Sequence, residues 1–236
     1  MKHVFVSGVS RGLGHALACA YLDRGDRVYG VSRGEPSDLV HRERFAFDCV
    51  DLADHDAVVP RLEGLLRGVD ALDLVILNAA VLPPVGDMRE TPLATLKLTM
   101  DVNTWANKIL LDFVFERIAR VDQVVAISSG AAISSTRGWN GYSISKAALN
   151  ALVRLYAAER PETHFSAFAP GLVDTEMQAY LRSVPADARY PDVEGLKRAH
   201  GTTDMPAADL AAARLVAAFE RLRAEASGGF HNTRAR

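Results

Sequence analysis

A short apolar run at residues 3–7 opens directly onto Gly8, and glycine returns at positions 12 and 14, where a segment of helical apolar spacing begins. A strand passing through a glycine turn into a helix permits few folds. Glycine suits such a turn because the backbone must bend sharply and come close to whatever lies against it. The free amides at the start of the following helix then favour negative charge, a phosphate above all. Gly8, Ser10, Arg11, Gly12, Leu13 and Gly14 are therefore candidate phosphate contacts. A purely structural tight turn is the competing reading.

The rest of the chain repeats the theme. Strand-length runs fall at 27–32, 44–48, 72–78, 124–128 and 165–169. Helical patterns cover 13–24, 55–67, 93–120 (long enough for two helices), 142–160 and 206–223. Apolar residues make up 49% of the 236 but aromatics only 7%, so the core is Ala, Leu and Val, as parallel strands between helices require. The expected fold is α/β: a Rossmann-type, doubly wound parallel sheet with helices on both faces, in a single domain over 1–236. Residues 174–204 form an excursion, and 183–203 is its least regular stretch. A mobile flap over a site and an ordinary surface excursion both fit it.

Several classes of function are disfavoured. Net charge is −2 with no basic stripe, so neither nucleic acid nor a membrane surface is an expected partner. No apolar stretch is long enough to span a bilayer and no signal peptide is visible, so the expected location is cytoplasmic. Cys19 and Cys49 read as reduced thiols without chemistry. The seven histidines (3, 15, 41, 55, 164, 200 and 231) show no metal-ligand spacing, and no metal is expected.

In a doubly wound sheet, ligands bind at the carboxyl ends of the strands. The second strand ends in Ser32-Arg33, where NAD enzymes of this architecture carry an acid for the ribose 2′-hydroxyl. A cation beside a hydroxyl suits a 2′-phosphate instead, with Arg11 as a further candidate, so the expected cofactor is NADP(H). Asp51-Leu52 follows the third strand; by itself Asp51 reads as a capping residue. Asn78, Ala79 and Ala80 end the fourth strand, where small side chains let a cofactor lie close.

The fifth strand ends at Ser129, and Tyr142 and Lys146 follow with helical i, i+4 spacing. Free tyrosine, with a pKa of about 10, is a poor acid–base group at neutral pH. A nearby ammonium lowers that value, and the phenol can then pass a proton to a carbonyl oxygen as hydride reaches its carbon. Ser129 can hydrogen-bond the same oxygen. Alone, the Tyr–Lys pair equally describes two surface residues.

Together these motifs resemble the short-chain dehydrogenase/reductase family in its compact single-domain branch, from about residue 2 to 177. SGVSRGLG is similar to the family's TGxxxGxG, with Ser7 for the usual Thr, and LNAAV to its NNAG, with Ala80 for Gly. The resemblance implies that Asp51 receives a hydrogen bond from adenine. It assigns Asn103, Ser129, Tyr142 and Lys146 to a catalytic tetrad, with Asn103 helping to hold a water on a proton relay. Lys146 would also contact the nicotinamide ribose. Pro170, Gly171, Val173 and Thr175 match the PG motif, whose Val and Thr bind the nicotinamide carboxamide.

A narrower resemblance, in SSGAAISSTRGWNGYSISKAALN and PGLVDTEMQAYLR, is to the sepiapterin reductase and benzil reductase-like group. It implies NADPH-dependent reduction of a ketone or diketone carbonyl. By position, Trp139, Met177 and Tyr180 would contact the substrate, joined by Val81 and Leu82; each could equally be core. The other readings are an alcohol dehydrogenase working oxidatively, a non-catalytic NADP(H) sensor, and an epimerase or dehydratase. The family also implies a homodimer or homotetramer. Leu110, Leu111, Val114, Ile118, Leu149, Leu152 and Leu155 supply apolar surface, though some of them must face the chain's own sheet.

Overall fold

The computed structural model describes residues 1–233. The chain runs β1 (His3–Ser7), α1 (Gly12–Asp23), β2 (Arg27–Ser32), β3 (Phe45–Cys49), α2 (His55–Leu65), β4 (Ala71–Leu72) and β5 (Leu74–Leu77). There follow α3 (Leu93–Met100), a π-helical turn (Asp101–Trp105), α4 (Ala106–Arg117), β6 (Arg120–Val121), β7 (Gln123–Ile127) and α5 (Ala131–Ser134). Then come α6 (Asn140–Glu159), β8 (His164–Ala169), α7 (Glu176–Ser183), α8 (Pro191–Ala199), α9 (Ala208–Leu222) and β9 (Gly229–Asn232). The seven-stranded sheet has the order β3-β2-β1-β5-β7-β8-β9, parallel throughout. The expected α/β doubly wound, single-domain architecture is the one observed.

Strand alternation sends successive side chains to opposite faces of the sheet. Phe5, Val75, Leu77, Val124 and Ala126 meet α2, α4 and α6 through Leu62, Leu110 and Leu149. Val4, Val6, Leu74, Ile76, Val125 and Ile127 meet α1 and α9 through Leu17 and Leu215. Each such burial stabilises by roughly 1.5–3 kcal/mol relative to exposure. Leu110, Leu111, Val114, Ile118 and Leu149 are spent on this core; of the residues expected at a subunit surface, only Leu155 is exposed.

From β1 the chain winds outward through β2 and β3, then returns to β5 on the other side. The reversal between β1 and β5 leaves a crevice at the carboxyl ends of the strands, where such sheets bind ligands.

Four features depart from the sequence expectation. The strand expected at 72–78 is two pieces, because Asp73 turns aside to accept the His3 amide at 2.7 Å. The small β4 pairs with β6 in a separate two-stranded sheet. Region 93–120 does hold two helices, but a π-helical turn joins them. The excursion contains α7 and α8, so it is helical rather than irregular.

Candidate functional site

The glycine turn is a cradle set by close backbone approaches. Gly8 and Gly12 have φ of +82° and +60°, which L side chains rarely adopt. A Cβ on Gly14 would stand 2.2 Å from the Gly8 carbonyl oxygen and 2.3 Å from Asn78 Nδ2, so only glycine lets α1 start here. Asn78 Nδ2 donates to the Ser7 and Gly8 carbonyls at 3.0 and 3.3 Å, tying the turn to the end of β5. Ser7, fully buried, accepts the amides of Asn78 and Ala79 on its hydroxyl at 3.0 and 3.1 Å. A hydroxyl is what this position requires, which explains why Ser can stand for Thr.

The cradle opens into one cleft of about 2190 Å³. Every expected site residue except Gly14 and Asn103 lines it, including Ser10, Arg11, Leu13, Ser32, Arg33, Asp51, Leu52, Ala80 and the PG-motif residues. Thr175 sits against Gly12, so the PG segment closes over the glycine turn.

At the β2 end, Arg33 is exposed and forms no ion pair among the described residues. Ser32 is buried and donates its hydroxyl proton to the Gly34 carbonyl at 2.8 Å, leaving it only lone pairs to offer. Arg11 pairs with Glu176 at the start of α7, across the cleft mouth. Asp51 accepts the Ala53 amide at 3.0 Å, so it caps a turn as its residue type predicts, with one carboxylate oxygen to spare.

The Ser–Tyr–Lys cluster comes from the end of β7 and the first turns of α6. Ser129 and Tyr142 line the cleft together, and the Ser129 hydroxyl, which accepts the Ala131 amide at 3.1 Å, acts to lower the Tyr142 pKa. Lys146 is almost wholly buried; its Nζ donates to the Ile127 carbonyl at 2.7 Å and lies 5.8 Å from the Tyr142 ring centre. Burial lowers the Lys146 pKa to about 8. Burial also raises the Tyr142 pKa, and the neighbouring Ser129 hydroxyl opposes this less strongly. The expected lowering of the phenol by Lys146 is therefore not what dominates here: desolvation does.

Asn103 sits in the π-helical turn, fully buried. Its Oδ1 accepts the Val81 amide at 2.7 Å, and its Nδ2 donates to the Val81 carbonyl at 2.9 Å and to Ser145 Oγ at 3.0 Å. It thus ties the segment after β5 to α6 beside Lys146. π-Bulges recur at functional positions, and this one turns Asn103 inward.

Trp139, Met177 and Tyr180 line the cleft, as do Val81 and Leu82. Trp139 lies 6.4 Å from the Tyr142 ring. Sequence reasoning missed Leu98, Ile133, Leu196 and Phe230, which also line it. Phe230 lies on β9, four residues with no readable alternation. Sequence reasoning also missed a latch: Arg137 grips Asp87 through two bonds of 2.7 and 2.6 Å, and Arg189 reaches Asp87, Glu90 and Asp187. No i, i+4 signal announces it, because its members come from three separate loops.

The family model for short chain dehydrogenase matches residues 2–185, so the chain belongs to that family. It is 28% identical over 232 residues to the benzil reductase ((S)-benzoin forming) of Bacillus subtilis (strain 168), covering 94% of each chain. It is 30% identical over 197 residues to the benzil reductase ((S)-benzoin forming) IRC24 of Saccharomyces cerevisiae, covering 77% of this chain and 75% of that protein. The KRED1-Pglu enzyme superposes with a TM-score of 0.87 at 24% identity, over 98% of this chain and all of that one, a likeness of fold. The chain is thus an oxidoreductase of a family that uses NAD(P)(H) and acts on small molecules. No helix among the described residues is long and apolar enough to cross a membrane.

Proposed function

We propose that this chain is an NADPH-dependent carbonyl reductase that converts a ketone, or one carbonyl of a diketone, to an alcohol. The observation that carries this is the convergence of Ser129, Tyr142 and buried Lys146 in the same cleft as the glycine cradle, with Lys146 Nζ 5.8 Å from the Tyr142 ring centre. The similarity to two benzil reductases supports the diketone reading.

The cofactor site passes a structural test of fit. The cradle excludes any Cβ at Gly14, the first turn of α1 lines the cleft, and the exposed Arg33 lining the same cleft would hold the 2′-phosphate. In this reading Asp51 meets adenine, Asn78 to Ala80 border the cofactor, and Val173 and Thr175 meet the carboxamide. Arg11, held by Glu176, acts at the cleft mouth rather than as the main phosphate ligand. Bound NADPH supplies the hydride.

The protein residues divide the remaining work. Ser129 donates a hydrogen bond to the substrate oxygen and holds it beside Tyr142. Tyr142 keeps its proton because burial disfavours the phenolate, so it can donate that proton to the oxygen as negative charge develops. Lys146, charged below about pH 8, sits close enough to compensate charge left on the phenolate. Asn103 positions α6 through Ser145. Trp139, Met177 and Tyr180 form the apolar wall against which a substrate's substituents pack.

The test is NADPH consumption with a panel of diketones and simple ketones, alongside NADPH binding by fluorescence. Turnover of a 1,2-diketone is expected; tight binding without turnover of any carbonyl would overturn the reading in favour of a sensor. Assembly into a homodimer or homotetramer rests on the family resemblance, with Ile144 and Leu155 exposed apolar residues on α6. Light scattering decides it.

A further inference from the structure

On α1, away from the Tyr–Lys cluster, His15 and Cys19 stand one helical turn apart and share a face. Cys19 Sγ lies 3.7 Å from His15 Nδ1. Asp38, in the loop between β2 and β3, brings its two carboxylate oxygens to 3.0 and 2.9 Å from His15 Nε2. One ligand atom from each of the three lies within 4.8 Å of the other two. The absence of ligand spacing among the histidines misses this group, because it pairs a histidine with a cysteine and draws its third member from tertiary structure.

We propose that His15, Cys19 and Asp38 form a binding site for a borderline-soft divalent cation of the Zn²⁺ type. The ion would take Cys19 Sγ, one ring nitrogen of His15 and the Asp38 carboxylate, with water in the fourth position. A thiolate, an imidazole and a carboxylate suit Zn²⁺, whereas Mg²⁺ and Ca²⁺ want oxygen ligands throughout. The 3.7 Å between sulfur and nitrogen matches the separation of two ligands on one tetrahedral ion, given bonds of about 2.3 and 2.0 Å. His15 now bridges thiol and carboxylate through its two nitrogens. Asp38 is mostly exposed on its loop and is free to swing toward the sulfur side.

An alternative role for the trio, a thiolate nucleophile raised on a His–Asp relay, runs against the electrostatics. Burial, then Asp38, then Asp23 push the Cys19 thiol up, which keeps its proton on and its sulfur unreactive. The carboxylates that oppose a bare thiolate attract a cation, and the cation reverses the balance. On binding, the Cys19 S–H proton passes to solvent and a metal–sulfur bond forms; nothing is oxidised or reduced. The ion would fasten α1, whose first turn forms the cradle, to the loop that leaves Arg33. This holds whether or not the chain reduces carbonyls.

The test titrates the metal-free full chain with Zn²⁺ by calorimetry and with Co²⁺ by absorption spectroscopy. We expect one Zn²⁺ per chain and a thiolate-to-cobalt charge-transfer band. The band should survive Cys49→Ser, the other free thiol, and vanish in Cys19→Ser. Asp38→Asn, at an exposed position that leaves the fold intact, should weaken Zn²⁺ at least about tenfold, since even outer partners of ligands are worth 10–100-fold. No charge-transfer band in the parent protein, a band that follows Cys49 rather than Cys19, or an Asp38→Asn variant that binds like the parent would each overturn the site. Should Cys19→Ser fail to fold, the Asp38→Asn and Cys49→Ser arms still decide.

Discussion

The two walls of the cleft are held by different forces. The wall made by β1, the glycine turn and β5 rests on backbone approaches and buried hydrogen bonds: Gly14 against Gly8, Asn78 clasping the turn, Ser7 buried beneath it. The opposite wall, made by α7, α8 and the loops at Asp87 and Arg137, is closed by ion pairs at the surface, the exposed Arg11–Glu176 and the Arg137–Asp87–Arg189 set, whose arginines are exposed and whose Asp87 is half-buried. A buried backbone contact tolerates almost no substitution. An exposed ion pair is screened by solvent and adds little stability. The first wall therefore suits an invariant ligand such as a dinucleotide. The second can be rebuilt for each substrate.

The Ser129–Tyr142–Lys146 cluster stands where the walls meet, and the largest effect is expected there. Tyr142→Phe should lower turnover by roughly a thousandfold, within the 10²–10⁴ range of a lost general acid, with NADPH affinity nearly unchanged. Steady-state rates and a fluorescence titration measure the two separately. Similar rates in variant and parent would remove Tyr142 from the chemistry.

Lys146 offers a thermodynamic test that needs no substrate. Its folded pKa of about 8 lies below the ordinary value of 10.5, so between those values the unfolded chain binds more protons. Stability of the ligand-free protein should then rise as pH climbs from about 8 toward 10. The full span is worth on the order of 3 kcal/mol, at about 1.4 kcal/mol per pH unit. The rise should be lost in Lys146→Met. Above pH 10 the tyrosines of the unfolded chain ionise. Tyr21 and Tyr156, whose burial raises their folded pKa, then pull stability down. Urea melts across this range read the slope, and a flat profile would mean that the ammonium is not desolvated.

The backbone wall is probed by Gly14→Ala. Its methyl would meet the Gly8 carbonyl, and we expect a loss of about 1–3 kcal/mol from overpacking together with weaker binding of both NADPH and NADH. Arg33→Ala probes the same wall at its exposed tip. It should weaken NADPH by about tenfold, as one lost charge-assisted hydrogen bond implies, and leave NADH alone. Equal losses for both cofactors would show that Arg33 does not read a 2′-phosphate.

What could be read from the sequence follows the same division. Gly8, Gly12 and Gly14 follow β1 within seven residues, and Tyr142 and Lys146 stand four apart on α6 soon after Ser129 at the end of β7, so local spacing carries each group. The central strands declared themselves through Val and Ile runs. The π-helical turn at Asn103 did not, because its sequence, DVNTW, has no distinguishing period. Phe230 reaches the cleft from a four-residue edge strand that exists only because β8 offers it a partner. The raised phenol of Tyr142 was hidden for a related reason: desolvation is a property of packing, and spacing to Lys146 says nothing about it. Glu176, Asp87 and Arg137 are ordinary surface residues in sequence, and only the folded chain brings each to its partner.

The exposed wall yields the smallest effect and the sharpest contrast. Arg137 and Arg189 hold Asp87 at about pKa 2, so the latch stays charged at any pH an enzyme assay uses. Asp87→Asn would free Arg137, which precedes Trp139 by two residues, and would loosen the Gly86–Trp139 bridge. Because the arginines of the latch are exposed and Asp87 is only half-buried, the melting temperature should hardly move. KM for a bulky diketone should rise a few-fold, while kcat and NADPH affinity stay near parent values. High salt applied to the parent should mimic the substitution, since it screens the same pairs. If KM and melting temperature both stay put, the ion pairs are decoration and Trp139 is positioned by its packing alone. If the melting temperature falls sharply, the second wall is as structural as the first, and the contrast between them fails.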